Sequence, residues 1–202
     1  MKKNIIAIAL GALALSSINV YAQESPWLVR VRAVDVDTAN KSNAFGAEPA
    51  DAITVEKKVI PEVDISYFFT PNWASELILT YPQSHDVYLS GTKVGSVKEL
   101  PPTLTLQYHF LPHEQVNPYL GVGVNYTTYS NVNLGGGTIT LDSGSFGYAL
   151  QGGVDYKIDK NWSLNFDLKY VEMRSNVYAG GAAISNIQIN PWLIGVGVGY
   201  RF

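Results

Sequence analysis

Cysteine is absent from the 202 residues, which excludes disulfide scaffolds, zinc–thiolate sites and cysteine nucleophiles. Charge is scarce: 15% of residues are Asp, Glu, Lys or Arg, against roughly 25% in ordinary soluble domains. Neither sign dominates, with 14 Lys plus Arg against 17 Asp plus Glu and a net charge of −3, which argues against a nucleic-acid partner. Beyond the N-terminus no apolar run approaches the roughly 20 residues of a spanning helix, and mean hydropathy is only +0.04. A helical membrane protein is therefore excluded. No His/carboxylate spacing matches a zinc or calcium pattern, so neither metal nor cofactor is expected. What the chain does hold is 18 Gly and 13 Tyr, the mark of a β-rich protein.

Residues 1–22 read as a secretory signal peptide. Lys2 and Lys3 form a positive start, Ile5 to Leu15 an apolar stretch, and Val20-Tyr21-Ala22 a small-residue cleavage pattern. The remaining 23–202 form the exported domain.

Eight stretches of this domain alternate apolar and polar residues with the period of a half-buried strand: 26–36, 54–69, 73–82, 100–110, 118–129, 145–158, 162–173 and 187–202. Soluble β-sandwiches alternate too. Two further features point to a membrane barrel. The links 70–72, 111–117 and 159–161 are short, whereas 37–53, 83–99, 130–144 and 174–186 are long and rich in Gly, Ser, Asn and Ala; the two kinds alternate strictly. Aromatics sit at the strand ends. Trp27, Phe69, Trp73, Phe110, Tyr119, Tyr156, Trp162 and Phe202 mark the short-turn side, and Tyr81, Tyr126, Tyr170 and Trp192 the long-loop side. The predicted fold is all-β: an eight-stranded antiparallel transmembrane β-barrel with short periplasmic turns and long extracellular loops, in a bacterial outer membrane.

Alternation assigns the faces. With the apolar set toward lipid, Arg30, Arg32, Glu62, Asp64, Glu76, Asp155, Asp167, Lys169 and Arg201 point into the lumen, with Gln107, His109, Asn125, Gln151 and Asn165 among them. Turning an Arg or Lys outward at mid-bilayer would cost roughly 2–4 kcal/mol, so the parity is strongly determined. These charges are predicted to pair into a plug, as side chains fill other eight-stranded barrels. Nearer the long loops the inward positions become apolar: Val34, Ile60, Ile78, Val171, Met173, Ile189 and Leu193. An apolar funnel over a charged plug is the expectation. A hydrophobic solute entering it would meet strong opposition at the charges, and a sideways exit between strands would avoid them. Pro61, Pro82, Pro101, Pro102 and Pro191 remove ladder donors near the outer ends and are candidates for such a lateral gate.

Several segments resemble the OmpW family of small outer-membrane proteins. They are Leu100-Pro101-Pro102-Thr103-Leu104, the strand from Pro118 through Gly121, Gly123, Asn125 and Tyr126 to Thr128, Gly152-Gly153-Val154-Asp155-Tyr156, and Asn190-Pro191-Trp192 with Gly199-Tyr200-Arg201-Phe202. The resemblance implies a monomeric eight-stranded barrel associated with passage of small hydrophobic molecules, with lateral release into the membrane. It also implies insertion by the barrel-assembly machinery through the Phe202 strand. The expected partners are thus the lipid bilayer with its lipopolysaccharide, small hydrophobic solutes, and that machinery.

Two other functions compete. A structural or adhesive barrel would act through its loops, yet 130–144 and 174–186 are apolar and Gly-rich rather than charged. A lipid-modifying enzyme would want a histidine with a nucleophile and a carboxylate in reach. His85 lies between Ser84 and Asp86 in the sequence, but adjacency does not make them converge, and the protein is not expected to be an enzyme.

Overall fold

The computed structural model describes residues 25–202, so the signal peptide expected at 1–22 lies outside the described residues. The strands are β1 (Trp27–Asp37), β2 (Lys41–Ser42), β3 (Ile53–Val55), β4 (Lys58–Phe68), β5 (Trp73–Leu79), β6 (Gln83–Leu89), β7 (Thr92–Leu100), β8 (Thr103–His109), β9 (Val116–Leu134), β10 (Ile139–Leu141), β11 (Gly144–Lys157), β12 (Trp162–Val171), β13 (Arg174–Ala179), β14 (Ala182–Gln188) and β15 (Trp192–Arg201). Eight of them close an antiparallel ring, β1-β4-β5-β8-β9-β11-β12-β15 and back to β1. Closure leaves no edge along the ring, the condition for a sheet surrounded by lipid.

Alternation sets the two faces as elementary strand geometry requires. Leu104, Leu106, Val122, Val124, Leu164, Phe166, Val196 and Val198 are exposed on the outside, and the residues between them face inward. Trp27, Phe69, Trp73, Phe110, Tyr156, Trp162 and Phe202 form an exposed aromatic belt at one end. Tyr119, expected in that belt, is 1% exposed and points into the lumen. The parity of its own strand is the reason: Leu120, Val122 and Val124 face out, so Tyr119 cannot.

The short turns carry their own chemistry. Asp159 Oδ1 accepts from the backbone N–H of Asn161 at 2.8 Å and of Trp162 at 2.7 Å, and Thr70 Oγ1 accepts from the Trp73 N–H at 3.0 Å.

The long links depart from expectation. Stretches 83–99 and 174–186 are ordered hairpins, β6–β7 and β13–β14, that continue the wall above the ring. Their turns are Ser90-Gly91 (φ 47° and 80°) and Gly180-Gly181 (φ 56° and 83°). Positive φ at both central residues matches the right-handed twist of a two-residue hairpin, and a Gly–Gly or Ser–Gly pair supplies it cheaply. The extension also shortens the ring strands. β15 begins at Trp192, so Ile189 lies in a link, as does Met173 between β12 and β13.

The inward apolar residues of the extension pack together. Val87, Val97, Tyr129, Leu134, Val177 and Ile187 join Val171, Met173 and Ile189 in one buried cluster. The outer end of the barrel therefore holds a small packed core.

Candidate functional site

The lumen is filled at mid-height by charge. Arg30 spreads its guanidinium over four side chains: Nε and Nη2 donate to both Asp155 oxygens at 3.1 and 2.7 Å, and Nη1 to Glu76 at 2.8 Å, Ser66 at 2.9 Å and Asp64 at 3.3 Å. Arg32 donates from Nε to Asn165 at 2.6 Å and from Nη1 to Glu62 at 3.0 Å, with Asp64 Oδ2 at 2.8 Å. Lys169 Nζ reaches both Glu62 oxygens at 3.2 Å and Asp167 at 3.6 Å. Five carboxylates thus face three cations. Neutral donors meet the surplus lone pairs: Tyr119 Oη donates to Asp167 at 2.7 Å, and Gln151 Nε2 to Glu76 at 2.9 Å and Asp167 at 2.7 Å. These charged side chains are at most 6% exposed. Desolvation at this depth is tolerable only because each group is paired and hydrogen-bonded.

Glycines make room for the cluster. Gly197 lies opposite Arg32, and a Cβ there would stand 2.1 Å from the Val31 carbonyl oxygen and 2.9 Å from Arg32 Cγ. At Gly153 a Cβ would meet Tyr119 Oη at 2.4 Å. Arg201 is a correction to its predicted place. It stands at the inner mouth, over the Phe68 ring at 4.3 Å and donating to the Ser25 carbonyl at 2.8 Å, below the mid-lumen cluster. Its position next to the chain end on β15 puts it a full level lower than Arg30 and Arg32.

Above the cluster lies a small, partly open cavity of about 30 Å³. Val36, Ile60, Ile78, Val171, Met173 and Leu193 form its apolar wall, with Pro101 and Pro191 beside them; Glu62 and Lys169 are its floor. Val34 packs behind the wall against Val36 and Ile60, and Ile189 lies in the capping core. Thr80, Glu99 and Thr103 also line the cavity. Glu99 lies outside the sequence reading because 83–99 reads as a long link between strands, although Val97, Glu99 and Pro101 share one parity.

The cavity abuts a break in the wall. β4 and β5 pair from Phe68↔Ala74 to Val63↔Leu79 and stop, whereas β4 stays paired with β1 up to Lys58. Pro61 explains the stop. Phe68 donates its N–H to Pro26 on the β1 side and Phe69 to Trp73 on the β5 side. Backbone groups alternate sides along a strand, so odd-numbered residues of β4 face β5, and Pro61 has no N–H to offer there. Side chains bridge the break: Thr80 Oγ1 donates to the Pro61 carbonyl at 3.2 Å, and Lys58 Nζ to the Ser84 carbonyl at 3.3 Å. Pro82 is exposed on the link from β5 to β6. Pro101 and Pro102 lie between β7 and β8, and both carbonyls accept from Asn125 Nδ2 at 3.2 Å. Pro191 joins β14 to β15, its carbonyl accepting from the Val171 N–H at 3.2 Å.

His85 faces inward on β6, 1% exposed. Its Nδ1 is 3.1 Å from the Glu56 carbonyl and its Nε2 3.3 Å from Glu99 Oε1. Burial alone would lower its pKa, but Glu99 and the Glu56 carbonyl more than offset that and raise it. Ser84 and Asp86 point to the other face, Asp86 pairing with Lys93, so Ser84, His85 and Asp86 do not converge.

The sequence matches the model of the OmpW family over residues 23–202. It is 43% identical to an uncharacterized outer-membrane protein, y4mB, of Sinorhizobium fredii over 91% of this chain and 82% of that protein. It is 33% identical to outer membrane protein W of Vibrio cholerae, with both chains fully covered. The fold superposes on the outer membrane protein OprG of Pseudomonas aeruginosa with a TM-score of 0.77 at 25% identity, covering 89% of this chain and 97% of OprG.

Proposed function

The chain belongs to the OmpW family of outer-membrane barrels, and on that premise we propose that it is a passive channel for small hydrophobic molecules. The observation that carries this reading is the apolar cavity set directly on a closed charge cluster. An apolar solute gains by entering such a cavity, since roughly 25 cal/mol is released per Å² of apolar surface withdrawn from water. Passing straight through would require opening Arg30–Glu76 and Arg32–Glu62, and breaking one buried pair costs roughly 3–5 kcal/mol. The solute therefore leaves sideways. The favoured exit is the break beside Pro61, where no ladder must be undone. Pro101 and Pro102, one strand further round, are the alternative exit. The apolar residues Val34, Ile60, Ile78, Val171, Met173, Ile189 and Leu193 serve as path and support, and the buried charges as the plug.

In this reading residues 1–22 direct export, the monomeric barrel meets lipopolysaccharide at its outer rim, and the assembly machinery inserts it. The test is uptake by liposomes carrying the refolded protein, with a labelled apolar compound beside a charged one of similar size. Selective apolar uptake is expected. Equal uptake of both would mean an aqueous pore and refute the plug. Uptake of neither would turn attention to the hairpins β6–β7 and β13–β14 as a binding surface.

A further inference from the structure

The polar atoms of the outer cavity are unevenly matched. Thr80 Oγ1 donates to the Pro61 carbonyl and accepts from Gln83 Nε2 at 3.3 Å. Thr103 Oγ1 donates to the Pro101 carbonyl at 3.1 Å and accepts from Asn125 Nδ2 at 2.8 Å. Lys169 is held by Glu62 and Asp167. Two acceptors differ from these. Glu99 lines the cavity, and among the described residues only the His85 side chain is in ion-pair or hydrogen-bond reach of its carboxylate, at 3.3 Å and off the line of a hydrogen bond. Gln83, outside the cavity lining, is the cross-strand partner of Glu99, is 1% exposed, and its Oε1 has no donor. Turning the amide round would not help, because its nitrogen donates to the Tyr81 carbonyl at 3.0 Å, and that oxygen can only accept.

Taking the cavity as a solute site, as proposed above, we infer that Glu99, with Gln83 beside it, is a polar anchor that selects apolar solutes carrying one hydrogen-bond donor, a hydroxyl or an amine. A plain hydrocarbon fills the apolar wall but offers Glu99 no donor beyond the off-line His85 contact. A buried acceptor without a donor is costly, and a donor offered to an ionised acceptor makes one of the stronger hydrogen bonds. A carboxylate analogue would bring its negative charge against Glu99 and Glu62. Size adds little discrimination here, whereas a site built to meet a polar group rejects analogues that lack it far more strongly than one that only measures bulk.

The test uses the full barrel in lipid nanodiscs with labelled Ile and Met methyls, so that Ile60, Ile78 and Met173 report occupancy of the cavity itself. Toluene, benzyl alcohol and benzoate are titrated in turn, with empty nanodiscs as the partitioning control. Benzyl alcohol is expected to bind at least about tenfold more tightly than toluene, the scale of one hydrogen bond to a charged group, and benzoate not to shift the methyls. Glu99→Ala should bring the alcohol down to the level of toluene and leave toluene unchanged. Glu99→Gln keeps an acceptor while removing the charge, and should show an intermediate preference. Folding of each variant is checked by heat-modifiable gel migration, and Glu99→Gln carries the comparison if the alanine variant fails to fold. Equal binding of toluene and benzyl alcohol, or a preference that survives loss of Glu99, would overturn the anchor and leave the channel standing. Absence of methyl shifts with every probe would overturn both.

Discussion

Replacing Arg30 by Met tests whether the charge cluster behaves as one unit. The guanidinium is completely buried and donates to Asp155 twice, to Glu76, to Ser66 and to Asp64. Methionine fills part of the volume and supplies none of these bonds. Five carboxylates would then face two cations. Arg32 still serves Asp64 at 2.8 Å and Glu76 at 3.5 Å, so those two are partly compensated. Among the described residues, Asp155 keeps only the Asn165 amide, at 2.8 Å, as a donor to its side chain. Leaving a buried charge without its partner costs roughly 3–5 kcal/mol, which is the expected loss for Arg30→Met. Removing the orphan as well, in Arg30→Met with Asp155→Leu, should recover at least about 1.5 kcal/mol of coupling, within the range found for contacting residues. The assay is urea unfolding from lipid vesicles, followed by fluorescence of Trp27, Trp73, Trp162 and Trp192 and by gel migration. A single variant within about 0.5 kcal/mol of wild type, the range of ordinary surface changes, would refute the reasoning. So would a double variant no more stable than the single one.

Three further outcomes are expected. Gly197→Ala should destabilise the barrel by about 1–3 kcal/mol as an overpacked position, because its Cβ would press on the Val31 carbonyl; Gly152→Ala, where the nearest atom is the flexible end of Leu120 at 3.2 Å, should be close to neutral in the same unfolding assay. Pro61→Val restores the N–H that faces β5 and should slow apolar uptake into liposomes more than replacement of Pro101 and Pro102; uptake at the wild-type rate would count against an exit beside Pro61. His85 lies outside the membrane-spanning strands, on the extracellular hairpin. Its folded pKa is raised above the ordinary value of about 6.5. A raised histidine stabilises fully below its unfolded pKa and loses that contribution as pH rises through the folded value. Hydrogen-exchange protection of β6 and β7, corrected for intrinsic rates, should therefore decline as pH rises past about 6.5. A titration of the His85 ring by NMR should have its midpoint above that pH, and Glu99→Gln should move it below, since burial then outweighs the remaining carbonyl contact.

Much of the barrel was legible because lipid-facing and lumen-facing residues obey one simple rule. Leu104, Leu106 and Tyr108 cannot share a face with Thr105 and Gln107, and charged residues cannot face the bilayer cheaply, so the inward set of Arg30, Arg32, Glu62, Asp64, Glu76, Asp155, Asp167 and Lys169 followed from parity. Tyr119 was misplaced because its chemistry suits a belt, and residue type was given precedence over the alternation of its own strand. The hairpins were missed for a related reason. Gly180-Gly181 and Ser90-Gly91 are hairpin turn signals, but composition rich in Gly, Ser and Asn obscured the period-two pattern around them. Glu99 and His85 went unnoticed as neighbours because they are fourteen positions apart on paired strands, at 85 and 99, and only the register brings them together.

The number of ring strands, their face assignment and the set of lumen charges are thus properties of the sequence alone, since each depends on local alternation and on the cost of exposing charge to lipid. Which cation meets which carboxylate is not. Arg30 reaches Asp155 across 125 positions and Lys169 reaches Glu62 across 107, and such pairs depend on the stagger of strands around a closed ring. The same is true of the cavity, whose wall comes from β1, β4, β5, β12 and β15 together. The break beside Pro61 combines both levels: the missing donor is written in one residue, but only the pairing of β4 decides that it faces β5.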